Sequence, residues 1–307
     1  MKLPFGKYKG QEIDILEKDL SYAKWIIEQE WVKAKHPDLY EAIMILFAEE
    51  SDAQAANALK AKENIILSIA LKEEKIESFQ EYPFSLPAVK NLQRTLFHPH
   101  VTYIVGENGS GKSTLLEAFA ITQGFNPEGG TVNFTFSTRP SHSTLHEYLR
   151  IAKTHKRAET GFFLRAESFF NVATEIENLD SEPISGNKII ASYGGKSLHE
   201  QSHGEAFFAL MQNRFGANGL YILDEPESAL SPNRQMSMLT LIHDLVKQGA
   251  QFVIATHSPI LLSYPSATIY EIKEEGLVET AYEKTDTFKV SKRFLNDYEG
   301  MLEVLLS

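Results

Sequence analysis

The chain contains no cysteine, and this absence removes a whole group of functions. None of its 307 residues carries a thiol, so disulfides, cysteine nucleophiles and zinc sites built on thiolates are excluded. A chain without cysteine is compatible with a reducing compartment but does not prove one. The absence therefore limits the chemistry more than the location.

Long hydrophobic runs are also missing. The most apolar stretch, residues 252–262 (FVIATHSPILL), is too short and too interrupted to span a bilayer. The first residues, MKLPFGKYKGQEID, lack the apolar core of a signal peptide. We therefore expect a cytoplasmic protein with no membrane segment of its own.

Positive charge is scarce as well. Thirty Lys and Arg residues stand against 41 Asp and Glu, which gives a net charge of −11. Such a chain does not coat nucleic acid or anionic lipid by charge alone, so any partner of this kind has to meet a local patch. The densest basic run, residues 150–157 (RIAKTHKR), is one candidate patch. A solvated helix face is the simpler explanation of that run.

The patterns divide the chain into three segments. Residues 1–50 combine the turn-like PFGKYKG with two helical patterns, which predicts a small helical N-terminal module. Residues 51–72 are rich in Ala, Glu and Lys without Gly or Pro, which predicts a helical linker and a boundary near residue 73. In residues 73–307, apolar runs of strand length alternate with helical patterns, as in an α/β domain with a mostly parallel sheet. A hairpin pattern at 267–284 and one final helix follow.

A phosphate-binding loop is the strongest motif. An apolar strand pattern, 101–105, runs into G-x-x-x-x-G-K-[ST] and then directly into a helical pattern. The loop consists of Gly106, Glu107, Asn108, Gly109, Ser110, Gly111, Lys112, Ser113 and Thr114. Its glycines let backbone N–H groups converge on phosphate oxygens, and the helix N-terminus adds partial positive charge. We expect Lys112 to reach the β- and γ-phosphates, Ser113 to ligate Mg²⁺ and Thr114 to bond a phosphate.

Two later strand ends carry polar residues that belong to the same chemistry. The apolar run 219–223 ends in Asp224 and Glu225, and the run 251–255 is followed by His257. Because the carboxyl ends of parallel strands share one edge, we expect these side chains to meet there. Asp224 would hold Mg²⁺ through its water shell, Glu225 would orient or deprotonate the attacking water, and His257 would reach the γ-phosphate. Taken alone, the Asp-Glu-Pro segment reads equally well as a solvated turn.

A segment between these motifs, SLHEQSHGE at 197–205, precedes a helical pattern. Ser202 with Glu205 has the spacing of a capping box. The order of phosphate loop, Ser-His-Gly-Glu, Leu-Asp-Glu-Pro, Ser-Ala-Leu-Ser and Thr-His-Ser resembles the ATP-binding-cassette (ABC) ATPases over roughly residues 73–265, in the compact, stand-alone branch of these P-loop NTPases. The resemblance implies a mostly parallel sheet with flanking helices and a helical signature lobe. It also implies that Ser202, Gly204 and Glu205 face the γ-phosphate of ATP bound by a second subunit, in a homodimer that forms on ATP binding.

The chain departs from that family at two positions. The usual Gln between the first two motifs is absent, and Glu167 stands at the corresponding place in FFLRAES, where we take it as a metal-facing residue. Ser231 replaces the usual Asp after Ser-Ala-Leu. Both departures concern signalling between subunits. No adenine-stacking aromatic stands out, because core packing is the simpler use of Tyr82 and Phe84.

The N-terminal module carries a separate, shorter resemblance. Its FGKYKG segment, Phe5 to Gly10, followed by Trp25, resembles a small module found alone or appended to bacterial exonucleases. Its lysines around Tyr8 could contact a nucleic acid. A turn that packs Phe5 and Tyr8 inward is an equal alternative.

The sequence as a whole predicts an ATPase that uses ATP and Mg²⁺. Three uses of the energy remain open. The first is work by an ATP-sandwich dimer on a nucleic acid or a partner protein, in nucleic-acid maintenance or defence. The second is service as the nucleotide-binding subunit of a transporter, and the third is an ATP-gated dimerisation switch or scaffold with little turnover.

Overall fold

The chain divides into two compact units, Met1–Ala61 and Lys62–Ser307. The computed structural model describes residues 2–18, 20–27, 29, 32, 35–36, 39, 43, 64–132, 143–166, 169, 174 and 203–307. The second unit begins ahead of the predicted boundary near residue 73.

The first unit is a small helical body with its own core. It contains a 3-10 helix, Ile13–Lys18, and helix α1, Leu20–Ile27. Its buried apolar residues are Leu3, Leu16, Ala23, Ile26, Val32, Leu39 and Ile43. Phe5 and Tyr8 pack against this core, which supports the inward-packing alternative for the FGKYKG turn. Gly6 has a φ of +80°, and a Cβ there would overlap the Tyr22 hydroxyl, so glycine is required at that turn.

The second unit is built on nine described strands. They are β1 Ile66–Leu71, β2 Thr95–Leu96, β3 Val101–Val105, β4 Leu149–Lys153, β5 Thr160–Arg165, β6 Gly219–Asp224, β7 Gln251–Ala255, β8 Thr268–Lys273 and β9 Gly276–Glu279. Its described α-helices are α2 Pro87–Lys90, α3 Lys112–Thr122, α4 His203–Arg214, α5 Pro232–Lys247, α6 Pro259–Leu262, α7 Asp286–Asn296 and α8 Tyr298–Leu305. Short 3-10 helices lie at Glu73–Lys75, Thr144–Tyr148, Pro226–Ala229 and Tyr282–Lys284.

The main sheet has the order β5-β6-β7-β3-β8-β9. Its first five strands run parallel, and β9 returns antiparallel to β8. Every residue of β3, β6 and β7 is buried, because one apolar cluster covers each face of the sheet. This confirms the predicted α/β fold with a mostly parallel sheet, and the hairpin pattern at 267–284 is the β8–β9 pair.

A second, three-stranded antiparallel sheet of order β2-β1-β4 corrects two sequence predictions. Strand β1 lies inside the segment 51–72 that was predicted as a helical linker, and residues 51–63 of that segment lie outside the described residues. Strand β4 contains the start of the basic run, which was read as a helix face. Both short segments are ambiguous by propensity alone, and pairing between strands decides for β structure.

Gln251 ties the small sheet to the main one. Its side chain is 1% exposed and lies at the start of β7. Its Oε1 accepts hydrogen bonds from the backbone N–H groups of Ile65 and Ile66, at 3.0 and 2.8 Å. Its Nε2 donates to the carbonyls of Ile66 and His98, both at 2.9 Å. One buried amide therefore satisfies four backbone groups at the junction of the two sheets.

The final helix predicted from the sequence is two helices. Helix α7 ends at Asn296, and α8 starts after Asp297, whose carboxylate accepts from the N–H of Gly300 at 3.2 Å. Much exposed apolar surface collects on this pair. Its exposed large apolar side chains are Val290, Phe294, Leu295, Tyr298, Leu302, Val304 and Leu305. Within the described part of the chain, no helix is both long and apolar enough to span a membrane.

Candidate functional site

The phosphate loop connects the buried strand β3 to helix α3. Gly111 is the residue before α3, with a φ of +97°, and Gly109 has a φ of +78°. Such angles favour glycine strongly. A Cβ on Gly111 would lie 3.0 Å from the Leu86 Cβ, whereas no described atom lies within 4 Å of one on Gly109. The loop is therefore packed tightly on its Gly111 side and open at Gly109.

The other loop residues surround this opening. Glu107 and Asn108 are exposed at the tip, and Thr114 is half-buried in the first turn of α3. A Cβ on Gly106 would lie 2.9 Å from the Ile272 Cβ, so Gly106 lets the loop approach β8 closely. The Ser110 hydroxyl is buried and has no hydrogen-bond partner in the described part of the chain. A polar atom in that condition suits a site that receives a polar ligand.

Lys112 points back into the loop. Its Nζ donates to the carbonyls of Gly106 and Glu107, at 2.8 and 3.1 Å, and the residue is 4% exposed. Burial lowers the pKa of Lys112, and the nearby carboxylates, first Glu225 and then Asp224, act in the opposite direction. The ammonium is therefore held inside the loop by backbone oxygens and faces a cluster of acidic groups.

Asp224 lies beside the first turn of α3. Its Oδ1 accepts a hydrogen bond from the Ser113 hydroxyl at 3.1 Å. A hydroxyl and a carboxylate brought together are oxygen donors of the kind that Mg²⁺ prefers. The two residues thus fit the predicted magnesium site. Groups of three or more His, Cys, Asp and Glu side chains suited to a metal are not found among the described residues.

Arg165 is a site residue that the sequence reasoning missed. It ends β5 directly beside Asp224 in the sheet register. Its Nε is 3.7 Å from Asp224 Oδ2, and its Nη1 donates to Glu117 Oε2 at 2.6 Å. The strand-edge argument that placed Asp224 and His257 together applies equally to the last residue of GFFLR, so the signal was present in the sequence.

Glu225 and His257 meet at the adjacent strand ends. The His257 Nε2 is 3.5 Å from Glu225 Oε1, as the shared-edge argument predicts. Glu225 has the left-handed backbone angles φ 50° and ψ 52°. Its N–H donates to the carbonyl of Ala255 at 2.9 Å, and its carbonyl accepts from the Ser228 hydroxyl at 2.9 Å. Hydrogen bonds to both the N–H and the carbonyl of Glu225 therefore hold this strained conformation. Strain of this kind is typical of functional sites.

The signature segment is described only in part. Helix α4 begins at His203, so Gly204 lies in its first turn. A Cβ on Gly204 would come within 2.8 Å of the Ala229 carbonyl, and Glu205 Oε1 is 3.8 Å from Arg234 Nη2. These contacts pack the helix start against the segment that follows Glu225. Ser202 and Glu167 lie outside the described residues.

The two aromatic residues considered for the adenine base behave differently. Tyr82 is 65% exposed, so the expectation that it packs in the core is wrong. Phe84 packs edge-on against Tyr148, with ring centroids 4.8 Å apart, beside the core around α3. Core packing is therefore the role of Phe84, as the sequence suggested.

Two protein-family models match the second unit. Residues 89–228 match the family described as ABC transporter. Residues 198–263 match the family described as AAA domain, putative AbiEii toxin, Type IV TA system. Together the two matches include the phosphate loop, the signature segment, Asp224, Glu225 and His257. Neither of these matches reaches the first unit, so its resemblance to an exonuclease-associated module stays a prediction.

The similar curated proteins include several ATP-binding proteins of transport systems. A putative ABC transporter ATP-binding protein of Caldanaerobacter subterraneus subsp. tengcongensis is 27% identical over 219 residues, which cover 65% of this chain and 86% of that protein. The arginine transport ATP-binding protein ArtM of Bacillus subtilis is 26% identical over 189 residues, which cover 55% of this chain and 74% of that protein.

Two solved structures illustrate the likeness in three dimensions. MJ1267, an ATP-binding cassette of an ABC transporter, superposes with a TM-score of 0.42 at 17% identity, over 76% of this chain and 98% of that one. The SMC head domain from Thermotoga maritima superposes with a TM-score of 0.37 at 17% identity, over 70% of this chain and 99% of that one. Both TM-scores are below 0.5, so neither likeness decides anything about function.

The fold, the strand-edge geometry and the family matches define the class of protein. The second unit has the fold of a P-loop NTPase domain of the ABC ATPase type, and the protein is an ATPase.

Proposed function

We propose that this chain binds MgATP at the carboxyl edge of its six-stranded sheet and hydrolyses it as one half of a homodimer. The observation that carries the proposal is the convergence of two pairs at that edge. Ser113 and Asp224 bring their oxygens to 3.1 Å, and His257 lies 3.5 Å from Glu225. These two pairs would supply a cation site and a base next to the phosphate loop.

The phosphate loop would hold the triphosphate mainly through its backbone. The glycines with left-handed angles would let neighbouring N–H groups turn toward a phosphate, and the start of α3 would add the positive end of the helix dipole. Lys112 supplies a full positive charge beside these groups. Ser110 and Thr114 offer hydroxyls on the same loop. This arrangement recognises phosphate oxygens and leaves the choice of base to contacts elsewhere.

The magnesium ion would be held by the Ser113 hydroxyl and by Asp224, with Arg165 orienting the carboxylate from its other side. When bound, Mg²⁺ neutralises phosphate charge during phosphoryl transfer. Glu167 stays a candidate for the same ion on the grounds of sequence alone.

Glu225 is proposed as the general base. Its carboxylate would take a proton from water while the water oxygen bonds to the γ-phosphorus. The bond from that phosphorus to the bridging oxygen breaks, and ADP departs with the bonding electrons. His257 would donate a hydrogen bond to a γ-phosphate oxygen, where negative charge needs support. The fixed backbone of Glu225 supports this role, because a positioned base works without first being ordered.

A second copy would complete the site. Gly204 and Glu205 lie in the first turn of helix α4, and the N-terminus of a helix suits an anion. In the same subunit this helix start packs against Ala229 and Arg234. Delivery of Ser202, Gly204 and Glu205 to the phosphate of a partner copy is the arrangement that the motif resemblance implies. It predicts two ATP molecules for each dimer.

The comparisons favour a transport partner over a nucleic acid. The named relatives are ATP-binding proteins of transport systems. The basic run that suggested a nucleic acid lies on strand β4 and the loop after it, where Lys156 donates to the carbonyl of Gly249 at 2.9 Å and so has a structural use. We therefore propose that hydrolysis drives a membrane transport partner.

ATP turnover by purified protein tests the proposal. Lys112→Ala should abolish both ATP binding and turnover. Lys289→Ala should retain both, because Lys289 is an exposed lysine of α7 with a side chain 55% accessible to solvent. Turnover by Lys112→Ala at the wild-type rate would contradict the site assignment. DNA should leave the rate unchanged, and a several-fold stimulation by DNA would instead favour a nucleic-acid partner.

A further inference from the structure

Glu227 reaches across from the end of β6 to the end of β7. It lies on the 3-10 helix Pro226–Ala229, two residues after Glu225. Its Oε1 accepts a hydrogen bond from the backbone N–H of His257 at 2.5 Å. Because the acceptor is a carboxylate, this bond is stronger than one between neutral groups.

The contact is one half of a reciprocal pair. The N–H of Glu225 donates to the carbonyl of Ala255, at the end of β7. The N–H of His257 donates to Glu227, on the segment after β6. Each segment therefore holds the other at a point next to its functional side chain. These two bonds flank the place where His257 lies 3.5 Å from Glu225.

The second carboxylate oxygen of Glu227 indicates that this side chain is not there simply to stabilise the fold. Glu227 Oε2 is buried and has no hydrogen-bond partner within the described parts of the chain. Its charge acts on Lys112 and on the buried Tyr103. A buried carboxylate with an unsatisfied oxygen costs stability. Such a group calls for an explanation other than packing.

We propose that Glu227 is a positioning residue for ATP hydrolysis, which fixes His257 against Glu225 through the N–H of His257. The inference rests on the proposed roles of Glu225 and His257. Because it would act through the N–H of His257, Glu227 acts on the chemical step rather than on nucleotide binding. The length of the Glu227 side chain, which we call its reach, matters more than its charge. A neutral acceptor oxygen at the same point would hold the same N–H.

Two conservative variants separate reach from charge. Glu227→Gln keeps the length and an acceptor oxygen and removes the charge. Glu227→Asp keeps the charge and withdraws the oxygen by one methylene. Glu227→Ala removes both features, and Glu275→Ala is the matched control, because Glu275 is exposed in the turn between β8 and β9. Melting temperature and affinity for ATP establish that each variant is folded.

The steady-state ATPase assay gives the readout. Glu227→Ala and Glu227→Asp should lower kcat by about 10- to 100-fold, the loss typical of a misplaced catalytic group. KM for ATP should stay within about twofold in both. Glu227→Gln should keep most of the activity, and Glu275→Ala should match the wild type.

A double-mutant cycle tests whether Glu227 works through His257. In a His257→Ala background, adding Glu227→Ala should cost less than about twofold, because the group being positioned is already gone. The proposal would be overturned if the double variant lost kcat by the product of the two single-variant factors. It would also be overturned if Glu227→Gln were as impaired as Glu227→Ala, or if the loss appeared mainly in KM. Failure of the proposed function itself looks different, since the wild type would then be no faster than Lys112→Ala.

Discussion

Replacing Arg165 by Met should destabilise the ATPase unit far more than the same change at Arg150. Both arginines pair with a glutamate at short range, Arg165 with Glu117 at 2.6 Å and Arg150 with Glu74 at 2.9 Å. The side chains of the first pair are 18% and 14% exposed, and those of the second are 64% and 61% exposed. The two pairs therefore differ chiefly in burial.

The expected magnitudes follow from that difference. Removing Arg165 leaves Glu117 largely buried without its partner and takes a cation away from Asp224. Breaking a buried pair costs about 3–5 kcal/mol, and the remaining exposure puts this case near the lower end. The exposed pair contributes less than about 1 kcal/mol. For a unit of this size, about 3 kcal/mol lowers Tm by roughly 6–12 °C.

Thermal and urea unfolding of the two Met variants measure the effect. Methionine retains most of the aliphatic volume, so lost packing adds little in either case. Glu117→Gln and the double variant Arg165→Met/Glu117→Gln complete a cycle, and the double variant should be less destabilised than the sum of the single changes. Equal losses for Arg165→Met and Arg150→Met, or strict additivity in the cycle, would refute the reasoning.

Three further changes probe the loop, the metal site and the sheet junction. Gly111→Ala should reduce ATP affinity and lower the free energy of unfolding by about 1–3 kcal/mol, since φ is +97° and the new Cβ meets Leu86. Gly10→Ala, at φ +86° with open space in the described surroundings, should leave ATP binding intact. Titration with a fluorescent nucleotide compares the ATP affinity of the two variants. Ser113→Ala should raise the Mg²⁺ concentration for half-maximal turnover by at least about tenfold and leave metal-free ATP binding unchanged, as a titration of turnover with MgCl₂ would record. Gln251→Leu should lower the free energy of unfolding by about 3 kcal/mol or more in urea, because it removes all four hydrogen bonds that this buried amide makes to the backbone. A loss below about 1 kcal/mol would contradict that account.

The main sheet was predictable because two separate signals in the sequence mark each of its central strands. Strands β3, β6 and β7 are continuous apolar runs, which a buried parallel strand requires, and each runs directly into a motif. The motif order then placed the ends of the strands at one edge. That is why the approach of His257 to Glu225 could be expected from sequence alone.

The misses share a physical cause. Strand β1, ILSIAL, has no strong local preference, and only its pairing with β2 and β4 makes it a strand. The bond from His257 to Glu227 joins a side chain to a backbone N–H across two segments. It depends on the turn of the 3-10 helix after Glu225, which no residue pattern specifies. Arg165 was within reach of the strand-edge argument.

The most direct test of the central claim is ATP turnover by wild type and Glu225→Gln, with molar mass measured beside it in the presence and absence of MgATP. The account predicts that the wild type hydrolyses ATP and that the variant binds ATP normally. The variant should turn over about 10²- to 10⁴-fold more slowly, the range lost with a general base, and it should accumulate as a dimer only when MgATP is present. Wild-type turnover by Glu225→Gln, or a molar mass that does not respond to MgATP in either protein, would contradict it.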